Sequence, residues 1–251
     1  MDKTSHFQYI LRIADNCLIY GQRLSEWCGH GPVLEEDIAL SNTSLDYLGQ
    51  ATHLLKYAGE IEGAGRDEDQ LAFLRDADEY RNLLISELPN GDYSYTIARQ
   101  FLFSTWYLLF LEKLKTSKDT FLAGFAEKSI KEVRYHVQHA SDWVLRMGDG
   151  TAESHERIQT SFQKLWEFTP EFFMMDELDN AAVADMIGVD CSQLKTQWLE
   201  SVSGVMKEAT LEMPVEVWGQ RGGRQGKHTE YLGFILSDMQ YMQRTYPNAK
   251  W

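Results

Sequence analysis

Seven histidines and a surplus of carboxylates are the side chains here that could hold a metal or move a proton. The most demanding chemistry open to them is a pair of metal ions bridged by carboxylates inside a helical bundle. Such a centre takes a Glu from each of two helices and a Glu-x-x-His from each of the other two. The i, i+3 spacing aims both side chains at one metal pair. None of the seven histidines (His6, His30, His53, His136, His139, His155, His228) has Asp or Glu three residues before it. No acid occurs between Tyr93 and Leu111, so a helix there offers no carboxylate to a bundle axis. No metal ligand set is therefore assigned. Asp46 and His53 are seven residues apart and share a helical face. Glu132, His136 and His139 share another, and Glu26 stands late in the first helical block. These six form either a vestigial polar centre of the bundle or a set of groups that hydrogen-bond one another in its interior or at an interface. No catalytic residue is assigned, because no Ser-His-Asp set or nucleophilic Cys environment can be argued. Cys28 beside Trp27 is expected to be packed.

A second candidate is Gly219 to Thr229, where glycines alternate with cations before a helix start. Arg221, Arg224, Lys227 and His228 could contact a phosphate or a partner chain. The segment is not a P-loop: Arg221 stands five residues before Gly226, and His228 replaces the Ser or Thr. The alternative is a loop whose cations pair with the protein's own carboxylates.

Helices must position these groups. Only five prolines occur in 251 residues, and apolar residues recur at helical spacing in long blocks. The first block places Phe7, Ile10, Leu11, Ala14, Cys17, Leu18, Gly21 and Leu24 on one stripe, and Gly29-His30-Gly31-Pro32 ends it. The second opens on Glu35-Glu36-Asp37, acids suited to a helix N-terminus, and is expected to turn Ile38, Leu45, Leu48 and Leu55 inward before fading near Gly63. Residues 66–87 read as a shorter helix with loops. The third block, about 95–114, starts after a Pro89-Asn90-Gly91 turn with Asp92 or Ser94 as cap, and is apolar nearly all round. The fourth carries Phe125, Ile130, Val133, Val137, Ala140 and Val144 up to Gly148-Asp149-Gly150. Shorter helices are expected at about 153–168, 178–187, 191–210 and 229–245. Trp106, Trp143, Trp166 and Trp198 fall on apolar stripes and are expected in the core.

The pattern predicts an all-α, ferritin-like, four-helix up-down bundle with additional C-terminal helices. The chain reads as a single domain, 1–251, with a core bundle at about 5–147 and accessory helices at about 151–246. A formal net charge of −14 argues against nucleic acid and anionic membranes as partners. No apolar stretch reaches the roughly 20 residues of a membrane span. Three cysteines without a CxxC, and no signal-like N-terminus, fit a reduced, cytoplasmic protein.

Several stretches then carry a resemblance. They are Gln22 to His30, Glu35 to Leu40, Leu45-Asp46-Tyr47-Leu48-Gly49-Gln50-Ala51, Pro89-Asn90-Gly91, Thr96 to Gln100, Lys131 to His136, and His228-Thr229-Glu230. In this order, over essentially the whole chain, they resemble the PaaC family of subunits of the multicomponent phenylacetyl-CoA epoxidase of bacterial phenylacetate degradation. One departure is Thr52, where that family usually carries Arg after Gly-Gln-Ala. The resemblance implies a non-catalytic structural subunit of a monooxygenase complex that supports a homologous PaaA-like catalytic subunit. That subunit holds the di-iron centre and binds phenylacetyl-CoA, which makes the phosphate considered for Arg221, Arg224, Lys227 and His228 that of coenzyme A. The resemblance also implies a small subunit and a reductase carrying FAD and an iron–sulfur cluster and drawing on NADPH, with no cofactor in this chain. Without its partner, a homodimer would cover the face left exposed. Two other readings stay open: a di-metal oxygenase using an unusual set such as Asp46, Glu132 and His136, and a metal-free acyl-CoA-binding helical module.

Overall fold

The computed structural model describes residues 1–215, 218–247 and 249. Among them every regular element is helical: α1 Lys3–Ser25, α2 Leu34–Glu62, α3 Glu68–Phe73, α4 Leu84–Glu87, α5 Tyr93–Leu114, α6 Thr120–Gly148, α7 Ala152–Leu165, α8 Glu177–Ala184, α9 Lys195–Glu208 and α10 Glu230–Thr245. The all-α, ferritin-like class expected from the sequence holds, and the four long helices lie where the apolar periodicity places them. Their ends follow from local chemistry. Asp2, Asp92 and Asp119 accept hydrogen bonds from the first-turn amides of α1, α5 and α6. Gly63 ends α2 in the left-handed region at φ 64°.

Residues divide into two compact units, Met1–Pro89 with Arg221–Trp251, and Asn90–Gln220. The first is built on the antiparallel hairpin of α1 and α2, with α3, α4 and α10 packed on it. α1 and α2 approach closely at Gly21, where an added Cβ would lie 3.0 Å from Leu48, and Ser44 Oγ donates to the Gly21 carbonyl at 2.8 Å. This contact rotates α2 away from the expected orientation. Leu40, Thr43, Ser44, Tyr47, Gln50, Ala51, Leu54, Leu55 and Ala58 are buried, while Ile38 and Leu45 face solvent, Leu45 at 64% exposure. The expectation that Ile38 and Leu45 point inward is thus corrected. The true inner stripe contains Thr43, Ser44 and Gln50, which an apolar periodicity discounts. α1 also differs from a one-stripe helix, since every residue from Tyr9 to Gly21 is buried, Arg12, Asp15 and Asn16 among them. Cys28 lies exposed in the turn beyond α1, not packed as expected, and all three cysteines are free.

The second unit is built on the α5–α6 hairpin, with α7 and α9 packed on α5 and α6. Trp106 stacks on Phe172 with ring centroids 5.2 Å apart, and its indole N–H donates to the Phe172 carbonyl at 3.0 Å. Trp198 donates likewise to the Leu102 carbonyl at 3.1 Å. Trp106, Trp166 and Trp198 are core residues, as expected. Trp143 is half-buried, edge-on to Tyr93 and beneath the Arg146 guanidinium. No helix among the described residues is long and apolar enough to cross a membrane.

Candidate functional site

The six residues of the expected polar centre fall in two groups. In the first unit, Glu26 lies one residue past α1, exposed, with Oε1 2.5 Å from Arg23 Nη1. On α2, Asp46 is half-buried and His53 is exposed. Thr52, beside His53, is also exposed and donates to its own helix at the Leu48 carbonyl. In the second unit, α6 carries half-buried Glu132, fully buried His136 and half-buried His139. The Tyr135 ring stacks against His139 at 6.1 Å and meets His136 edge-on at 6.4 Å. Among the described residues no three His, Cys, Asp or Glu side chains are placed to hold a metal ion. The residues present do not fit the two-metal centre of ferritin-like oxygenases. Where α5 would supply a carboxylate, it buries Phe101, Leu102, Phe103, Trp106, Tyr107 and Phe110.

The cationic loop divides sharply. Arg221 and Lys227 are on the surface, but Arg224 is buried and the His228 side chain is only 5% exposed. The structure thus turns the Arg224 and His228 side chains inward. Three of the glycines explain how the loop fits. Gly222 and Gly226 have φ of 133° and 74°, and a Cβ on Gly223 or Gly226 would collide with the carbonyl of Asn82 or Asp78.

Beneath that loop lies a buried polar network for which the sequence offers no local signal. Asp15, fully buried on α1, forms an ion pair with Arg75 and accepts the Arg81 backbone amide at 2.9 Å. Arg75 also donates to the carbonyls of Leu71 and Glu79 and stands over the Tyr80 ring at 4.2 Å. Burial opposes the charge on Arg75, and the Asp15 carboxylate more than offsets it, so the guanidinium is held above its ordinary range. Burial pushes the Tyr80 hydroxyl up to about 12. Gln240 of α10 donates to the Tyr80 hydroxyl and to the Arg75 carbonyl, both at 2.9 Å.

A second part of the network centres on Glu87, fully buried at the end of α4. Its Oε2 accepts from Asn82 Nδ2 at 2.9 Å and lies 2.8 Å from His228 Nδ1, while Oε1 accepts the Thr229 amide at 2.6 Å. Its backbone carbonyl accepts both Nε and Nη2 of Arg23. Leu83 N donates to Asn16 Oδ1, closing the connection back to α1. These bonds satisfy buried polar groups that would otherwise cost stability. The network is a structural clasp, with its carboxylates and guanidinium committed to one another.

Known proteins resemble the chain along its whole length. It matches the family described as Phenylacetic acid catabolic protein over residues 1–251. It is also 46% identical over 243 residues to one of the subunits of the 1,2-phenylacetyl-CoA epoxidase of Escherichia coli (strain K12), an alignment that covers 97% of this chain and 98% of that protein.

Proposed function

The chain belongs to the phenylacetic acid catabolic protein family, and from that premise we propose that it is a non-catalytic subunit of a phenylacetyl-CoA epoxidase. In this reading it binds and supports a homologous ferritin-like subunit that carries the di-iron centre. Its similarity to the Escherichia coli epoxidase subunit supports the place in the complex. The observation that carries the non-catalytic role is α5, whose buried residues are apolar, aromatic, hydroxyl-bearing, amide or arginine, with no carboxylate or imidazole among them. A subunit built this way contributes surface, not redox chemistry. The FAD, iron–sulfur and NADPH components of the reaction belong to a separate reductase in the same reading.

The surface offered is the outward stripe of α2. Leu34, Ile38 and Leu45 recur at helical spacing and stay exposed in this chain, Leu34 at 71%. Apolar stripes of this kind mark contact with another protein.

The test is to mix the purified chain with the di-iron subunit of the same system and to measure association and metal content separately. Expected are a stable complex, less than one iron per copy of this chain, and no epoxidation by this chain with the reductase alone. About two irons per copy of the isolated chain, with turnover, would replace this reading with the di-metal oxygenase. Tight binding of phenylacetyl-CoA to the isolated chain in calorimetry would favour the acyl-CoA-binding module.

A further inference from the structure

The strap at 221–229 connects to α10 and lies against residues 78–87 of the first unit. Its polar anchor is His228. Nδ1 is 2.8 Å from Glu87 Oε2, and Nε2 is 3.1 Å from the Tyr80 carbonyl oxygen. A backbone carbonyl only accepts. Both Glu87 oxygens accept other hydrogen bonds, Oε1 from the Thr229 amide and Oε2 from Asn82 Nδ2, so the ring meets Glu87 on its accepting side. A neutral imidazole has a single N–H. Only the imidazolium form of His228 donates to both neighbours at once.

We propose that Glu87 and His228 form a proton-dependent latch, closed by the imidazolium, that holds the strap and the first turn of α10 on the first unit and loosens when the ring loses its proton. The latch does not depend on the subunit role proposed above.

Charged and titratable groups come from several neighbouring elements, Glu230 and Tyr231 at the start of α10 among them. Glu87 comes from α4, Asp15 and Arg23 from α1, and Arg75, Tyr80 and Arg81 from the stretch between α3 and α4. Arg224 and Lys227 come from the strap itself. Burial works against a charge on His228. The hydrogen bond and charge of Glu87 come next, then the Tyr80 carbonyl and the field of Asp15, and together these raise its pKa above that of a free imidazole. The sign follows: the stabilisation is complete below the unfolded-state pKa and is lost as pH rises through the folded-state pKa.

Histidine-ring NMR and amide hydrogen exchange on the full chain, across the titration of His228, test this. His228 is expected to titrate above an unperturbed imidazole. After correction for intrinsic rates, amides of 222–232 are expected to exchange roughly tenfold faster or more above that titration than below it, the scale of one lost hydrogen bond to a charged group. Amides of α5 serve as the unchanged control. Glu87→Gln is expected to bring the titration down, and His228→Gln to leave the strap in fast exchange at every pH. A His228 that titrates at or below the unperturbed value, or strap exchange that stays constant across its titration, overturns the latch. Should either variant fail to fold, the wild-type chain alone provides both decisive readings.

Discussion

The two units share a plan, a long antiparallel hairpin with short helices packed on it, yet their interiors are filled by different chemistry. The first buries charge: Asp15, Arg75, Glu87 and Arg23, joined by Asn16, Asn82 and Gln240. The second is dominated by rings: Phe101, Phe103, Trp106, Tyr107, Phe172 and Trp198. Ring packing is stabilising in many arrangements and degrades gradually when altered. A buried ion pair is favourable only with its full set of partners, and one missing partner leaves a charge uncompensated. The first unit therefore has the more specific interior, in which a loop and the start of α10 are held by hydrogen bonds drawn from far along the sequence.

Substitutions can break or sharpen that contrast. The largest effect is expected for Asp15→Ala, which strands Arg75 and the Arg81 amide. A loss of about 3–5 kcal/mol is expected in urea unfolding. In the second unit, Trp106→Phe keeps the ring stack but leaves the Phe172 carbonyl without its donor, so a loss of about 1–3 kcal/mol is expected by the same measurement. A comparable loss from both substitutions would remove the distinction between the interiors. Gly223→Ala drives a Cβ into the Asn82 carbonyl, and about 1–3 kcal/mol of destabilisation is expected, with faster exchange confined to the strap and α10. Smaller in stability are Ile38→Ser and Leu45→Ser on the outward stripe of α2, within about 0.5 kcal/mol of wild type. These two are expected instead to weaken association with the partner subunit proposed above. Arg221→Ala with Lys227→Ala is expected to leave stability unchanged; unaltered complex assembly and substrate affinity as well would confine the strap's role to His228 and Arg224.

Much of the secondary structure is readable from the sequence. The four long helices, the aspartates that cap three of them and the glycine at the end of α2 are local signals, decided by residues within a turn of one another. The orientation of α2 is not, because Thr43, Ser44 and Gln50 face inward only through the close approach at Gly21. The missing Glu-x-x-His motifs are legible as spacing. The polar residues that do matter inside the first unit are not: His228 is visible as one member of a cationic loop, but its partner Glu87 is 141 residues away, and Asp15 meets Arg75 across 60.

By itself the sequence determined the helical class, the order of the hairpins and the lack of a carboxylate on α5 between Tyr93 and Leu111, since periodicity, capping and residue identity act over short distances. Tertiary structure alone decided which side of α2 meets α1, which of the loop's cations are buried, and that His228 faces two acceptors. Those outcomes depend on burial, and burial is set by which distant segments pack together.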